Sequence, residues 1–176
     1  MIRVFENCSL RERNSFGIEG RAARLLEFEH ADELLKIFRG GGPGPWYVLG
    51  GGNNILFTGD YAGTLLHPAG RGIRVTAEAG DRVEVRAEAG TEWDELVAWA
   101  VREGLWGIEN LSLIPGTVGA APVQNIGAYG AEAKDAIESV EMISFSAVPV
   151  LVPTISRALT AHGIFMLMRL PVIKAR

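Results

Sequence analysis

Cysteine is almost missing from this chain. Cys8 stands alone among 176 residues. No disulfide can close within the chain and no cysteine cluster can hold zinc, a usage that fits a reducing compartment. The histidines His30, His67 and His162 are scattered, and none has a partner at metal-ligand spacing. No uninterrupted apolar run reaches the roughly 18 residues that a membrane-crossing helix needs. The opening MIRVFENCSL is charged early and lacks the apolar core of a secretory signal. Excess positive charge is also missing: the net charge is −4, no basic stripe carries interleaved aromatics, and a nucleic-acid surface is not expected.

What remains has the composition of a globular protein, 48% hydrophobic and 22% charged, long enough for one domain or two small lobes. The charge is unevenly placed. All 21 acidic residues lie at or before Glu141, and beyond it the charged residues are Arg157, Arg169, Lys174 and Arg176. The segment 144–176 is apolar, basic and broken by Pro149, Pro153 and Pro171, so a change of character is expected near Ser144.

Periodicity gives a coarse outline. Arg24–Phe28, Trp46–Leu49, Ile55–Phe57, Thr64–His67 and Glu138–Ile143 read as strands. Ile73–Glu78 and Arg82–Ala87 alternate across Gly80-Asp81 and read as a hairpin. His30–Arg39 and Thr91–Arg102 read as helices. Thr91 and Asp94 form a capping-box pattern for the second, and Gly104 is a good stop. Ala131–Ala136 reads as a short helix. Without a regular βαβα repeat, the expected class is α+β.

Two glycine-rich loops carry the chemistry. GGGNN at 50–54 follows the apolar run Trp46–Leu49, and 111–130 reads LSLIPGTVGAAPVQNIGAYG. GGGNN has two readings: a tight turn between strands, or a nest of backbone N–H groups for a pyrophosphate with Asn53 and Asn54 adding amide donors. No helix pattern follows it and no Lys-Ser/Thr pair, so it is neither a dinucleotide fingerprint nor a Walker loop. A purely structural role for 111–130 would be unusual at that length and with so few charges. Gln124 and Asn125 are candidates for a flavin's pyrimidine edge or ribityl chain, Tyr129 for a ligand phosphate, and Glu109 and Asn110 for positioning.

These segments resemble the UDP-N-acetylenolpyruvoylglucosamine reductase family of flavoenzymes. Asn14-Ser15-Phe16-Gly17-Ile18 is similar to that family's Asn-Thr-Phe-Gly entry, VLGGGNNILF at 48–57 to its Leu-Gly-x-Gly-Ser-Asn-x-Leu segment, and GIENLSLIPGTVGAAPVQNIGAYG at 107–130 to its long signature. The resemblance runs over 14–143. It implies the two-subdomain α+β FAD-binding lobe of the vanillyl-alcohol-oxidase-like (PCMH-type) flavoproteins, with subdomains at 14–78 and 79–143. On that resemblance Gly50, Gly51, Gly52, Asn53 and Asn54 bind the FAD pyrophosphate. Pro115, Gly116, Thr117, Gly119, Ala120, Gln124 and Gly127 line the flavin, and Tyr129 faces the diphosphate of the substrate.

The implied reaction uses NADPH as hydride donor to reduce an enolpyruvyl ether on a nucleotide sugar in peptidoglycan precursor synthesis. It implies a cytoplasmic monomer with no membrane or nucleic-acid partner. The family's arginine, serine and glutamate of catalysis are not found in this chain, so the expectation is a truncated or frameshifted product that binds FAD weakly and does not reduce the enolpyruvyl substrate. A non-catalytic FAD-binding module is the alternative. Val148–Ser156, VPVLVPTIS, read with a one-base shift permits Cys-Arg-Phe-x-Tyr-Arg-x-Ser, close to the missing family motif.

Overall fold

The computed structural model describes residues 1–144, 149–152 and 163–174. Two sheets divide the chain. The first has the order β1-β2-β4-β3, from β1 (Arg3–Ser9), β2 (Arg21–Phe28), β3 (Trp46–Val48) and β4 (Tyr61–Pro68). β1 runs antiparallel to β2, whereas β2, β4 and β3 are mutually parallel. Parallel strands are covered on both faces, and the sequence shows it: Leu25, Leu26 and Phe28 of β2 and Leu65 and Leu66 of β4 are consecutive or nearly so, and all are buried.

Helix α1 (Ala31–Arg39) lies over one face of this sheet. Its Leu34 and Leu35 pack with Leu26, Phe28 and Leu66. The Glu33 carboxylate accepts the N–H groups of Glu29 and His30 and so closes the first turn. Leu10, Ala22, Leu25, Leu49, Phe57 and Leu65 form the core on the other face. Ile55–Phe57, expected as a strand, is irregular chain, and Phe57 is spent plugging that face. β1 falls outside the strands read from the sequence, because its residues are mostly exposed and carry no alternation.

The second sheet has the order β11-β10-β12-β6-β5, from β5 (Ile73–Ala79), β6 (Arg82–Glu88), β10 (Ser139–Ser144), β11 (Pro149–Val152) and β12 (Gly163–Lys174). Between β6 and β10 the chain forms α2 (Trp93–Arg102), β7 (Leu105–Trp106), α3 (Ala121–Gln124), β8 (Gly127–Ala128), β9 (Ala131–Glu132) and α4 (Ala133–Ala136). The β5–β6 hairpin stays in one sheet, so the change of sheet falls between Pro68 and Ile73, ahead of the expected division at 78/79. β12 runs between β10 and β6, pairing Met168 with both Val140 and Ala87. β11 and β12 therefore lie beyond the change of character near Ser144, while most of the Val148–Ser156 segment, and His162, lie outside the described residues.

α2 supplies the second core. Trp93, Leu96, Val97 and Ala100 pack with Val83, Val85 and Ala87 of β6. Gly104, at a φ of +67°, ends it as expected. The capping box does not form. The Thr91 hydroxyl instead accepts the Gly72 N–H at 3.1 Å, and Asp94 accepts the Ser112 hydroxyl and the Leu113 N–H at 3.0 and 2.7 Å. A local cap has lost to tertiary partners that need the same atoms.

Trp93 is fully buried and its indole N–H donates to the Leu111 carbonyl at 2.9 Å, so one side chain ties α2 to the start of the long loop. Trp93→Ala is expected to cost about 3–5 kcal/mol from cavity and lost packing, read as a lower urea midpoint. A loss below about 1 kcal/mol would contradict this placement.

Candidate functional site

The two glycine loops meet between the sheets. They enclose a cavity of about 460 Å³, within the range of small-molecule sites. Gly50, Gly51, Gly52, Asn53 and Asn54 form one wall, and Gly116, Thr117, Gly119, Ala120 and Gln124 the other. Trp46, Tyr47, Val48, Leu49, Ile55, Pro68, Ala89 and Val123 complete it. No charged side chain lines it among the described residues.

The first loop leaves the sheet at Leu49. The Leu49 N–H donates to the Leu66 carbonyl at 2.9 Å, and the Leu49 carbonyl lies 2.8 Å from the His67 Nδ1. Beyond that the loop is open to a ligand. Among the described residues, none accepts a hydrogen bond from the N–H of Gly50, Gly51, Gly52, Asn53 or Asn54. Five consecutive uncommitted donors beside a cavity without cations form an anion seat built from backbone alone. The Asn53 and Asn54 amides add side-chain donors.

The second loop is fastened from below. The Trp93 N–H donates to the Gly116 carbonyl, the Val118 N–H to Thr91 and the Gly119 N–H to Ala89, all within 2.8–2.9 Å. The loops close on each other through their glycines. A Cβ on Gly50 would sit 3.1 Å from the Thr117 hydroxyl and 3.4 Å from the Ala120 methyl. One on Gly51 would sit 3.5 Å from the Gly116 Cα. Gly119 packs against Ala89, where an added Cβ would approach to 2.8 Å.

Other candidates sit elsewhere. Pro115 and Gly127 are not among the cavity's lining residues. Gly127 pairs with Glu132 in the β8–β9 hairpin. Tyr129 and Gly130 form its two-residue turn, with φ of +53° and +80°, and Tyr129 is 90% exposed. The Asn125 side chain is already committed: its amide donates to Glu132 and its carbonyl accepts the Lys134 N–H, both at 3.1 Å. Glu109 accepts the Gly107 N–H at 2.6 Å and holds the turn ahead of the loop.

Next to Ala89, burial pushes the Glu88 carboxyl above the usual carboxylate range, with Arg86 and Arg74 opposing. Among the described residues no cluster of His, Cys, Asp or Glu could hold a metal ion. The wall residues of β3 and Ala89 escaped the sequence reading. An edge strand facing a cleft emerges only from the sheet order, although the Trp-Tyr-Val-Leu run immediately before GGGNN was an available signal.

A cleft between two α+β lobes, with an uncharged nest of N–H groups on one side and a small-residue loop on the other, is the arrangement of the PCMH-type flavin-binding lobe. The chain belongs to the FAD binding domain family, whose model matches residues 22–146. Its sequence is 49% identical over 137 residues to a UDP-N-acetylenolpyruvoylglucosamine reductase of Bacteroides fragilis, covering 77% of this chain and 41% of that protein. It is 51% identical over 141 residues to the enzyme of that name from Pseudomonas aeruginosa, covering 78% and 41%. The chain thus spans about two fifths of the length of these curated relatives.

Among solved structures, UDP-N-acetylenolpyruvylglucosamine reductase from Thermus caldophilus superposes with a TM-score of 0.77 at 25% identity, covering 100% of this chain and 64% of that one. A solvent-stable cholesterol oxidase shares the fold, with a TM-score of 0.66 at 16% identity, covering 98% and 38%. No described helix is long and apolar enough to cross a membrane.

Gly50→Val is expected to push the loops apart and weaken FAD binding tenfold or more, since misplacing binding groups by about 1 Å is enough for such losses. Flavin fluorescence titration reads it, with circular dichroism as the check on the fold. Unchanged affinity in a folded variant would contradict the loop contact.

Proposed function

We propose that this chain is the flavin-holding portion of an NADPH-dependent reductase acting on UDP-N-acetylglucosamine enolpyruvate, the step that yields UDP-N-acetylmuramate for peptidoglycan precursors. The observation that carries the reading is the run of five uncommitted N–H groups at 50–54 beside a cavity without cations, in a chain about 50% identical to reductases of that name. FAD, when bound, would supply the hydride-transfer chemistry of the reduction.

The residues of this chain bind and orient. Gly50, Gly51, Gly52, Asn53 and Asn54 neutralise the pyrophosphate through N–H dipoles without a lysine or arginine. Gly116, Thr117, Gly119, Ala120 and Gln124 hold the ring system and ribityl chain. The apolar wall of Trp46, Val48 and Leu49 keeps water from it. Tyr129, exposed on its hairpin, meets the nucleotide-sugar diphosphate. The protein works in the cytoplasm as a monomer, with no membrane or nucleic-acid partner.

The test is a visible spectrum of the purified chain with FAD, then anaerobic NADPH, then the enolpyruvyl nucleotide sugar. A protein-shifted flavin band is expected, bleached by NADPH. Recovery on adding the sugar marks a working reductase. A bleached band that does not recover favours an FAD-binding module without turnover. A free-flavin band throughout contradicts the proposal.

A further inference from the structure

Gly52 is a glycine for a reason unrelated to a ligand. Its φ is +71°, and a Cβ there would run into the Arg13 carbonyl and lie 2.9 Å from the Asn14 Cα. Its carbonyl accepts the Ser15 N–H at 3.1 Å. The phosphate-side loop therefore rests directly on the segment Arg11–Ile18, no residue of which lines the cavity. That segment lies ahead of residue 22, where the match to the FAD binding domain family begins.

A buried asparagine and a half-buried arginine fix the segment. Asn14 is 8% exposed. Its amide donates to the Leu10 and Ile18 carbonyls at 2.7 and 3.1 Å, and its carbonyl accepts the Ile18 N–H at 3.1 Å. Those bonds tie the two ends of the segment together through Asn14, Ile18 and the buried Leu10, and so set its shape. Arg13 then fastens it to the sheet. Its guanidinium lies 2.7 Å from the Glu27 carboxylate of β2, which also meets Arg3 of β1 at 2.8 Å, and it sits 5.4 Å from the centre of the Phe5 ring. Glu27 is 7% exposed, so removing its cations leaves a charge that water reaches poorly.

We propose that Asn14 and the Arg13–Glu27 pair are positioning residues that set FAD affinity by holding the Gly50–Asn54 loop in place without touching the cofactor. This rests on the reading of that loop as the FAD pyrophosphate seat. The anchor acts through Gly52, so disturbing either end disturbs one and the same contact.

Fluorescence titration of the full chain with FAD tests this across Asn14→Ala, Arg13→Met, Arg13→Lys, Gly52→Ala and the double variant Asn14→Ala/Gly52→Ala. Asn14→Ala and Arg13→Met are expected to weaken binding about tenfold, and Arg13→Lys to stay within about twofold of the parent. The double variant is expected to bind within about twofold of Gly52→Ala alone, because residues acting through one contact are not additive. Parent-like affinity in folded Asn14→Ala and Arg13→Met, or fully additive losses in the double variant, would overturn the proposal.

If those variants do not fold, amide hydrogen exchange on the parent without FAD decides it. Residues 14–18 and 50–54 opening in one common event supports the anchor, and independent opening overturns it. A parent that binds no FAD defeats the flavin reading, and the exchange result then judges the anchor alone.

Discussion

The close approach of backbone to backbone where the two sheets meet is the constraint on which the site depends. Gly90 presses on the crossover from β4 to β5: a Cβ there would come within 2.7–2.8 Å of the Pro68 and Gly70 carbonyls and the backbone of Ala69. Its N–H donates to Gly70 at 2.9 Å. Gly119 packs as tightly on Ala89. A side chain at Gly90 would separate the lobes, and one at Gly119 would lift the second loop off Ala89. The first sheet's core helps to hold the arrangement, since Ile143 of β10 packs with Leu26, Phe28 and Leu34.

That constraint explains the division of labour among the glycines. Gly50 lets the two loops approach, Gly51 leaves room for the Asn53 side chain, Gly52 lets the first loop sit on Arg13 and Asn14, Gly90 joins the lobes, and Gly119 seats the second loop on Ala89. The donors left over are N–H groups rather than ammonium or guanidinium groups. Such a seat cannot rearrange its charge, and its geometry is only as good as the backbone contacts that hold it. Ligand affinity then depends on packing at positions that touch no ligand.

Much of this was legible in the sequence because glycine, asparagine and proline mark loops by mechanism. GGGNN and IPGTVGAAPVQNIGAYG announced both walls, and helical spacing announced α1 and α2. The misreadings have physical causes. Thr91 and Asp94 spell a capping box, but their oxygens serve Gly72, Ser112 and Leu113, partners that only the folded chain brings near. Ile55–Phe57 looks like a strand because Phe57 is buried, yet it is buried as a plug. Asn125 looked like a flavin ligand, but its amide bonds Glu132 and Lys134. The sheet order β1-β2-β4-β3 was not readable, because β4 inserts between strands that precede it in the chain.

Backbone N–H groups of the first glycine loop are proposed to seat the FAD pyrophosphate. The most direct measurement is a ¹H–¹⁵N correlation spectrum of the labelled chain titrated with FAD and, separately, with riboflavin, which has no phosphate. FAD is expected to shift the amides of Gly50–Asn54 strongly, and riboflavin to move Gly116–Ala120 while leaving Gly50–Asn54 nearly still. Equal shifts at 50–54 from both ligands, or FAD shifts confined to other surfaces, would contradict that seating.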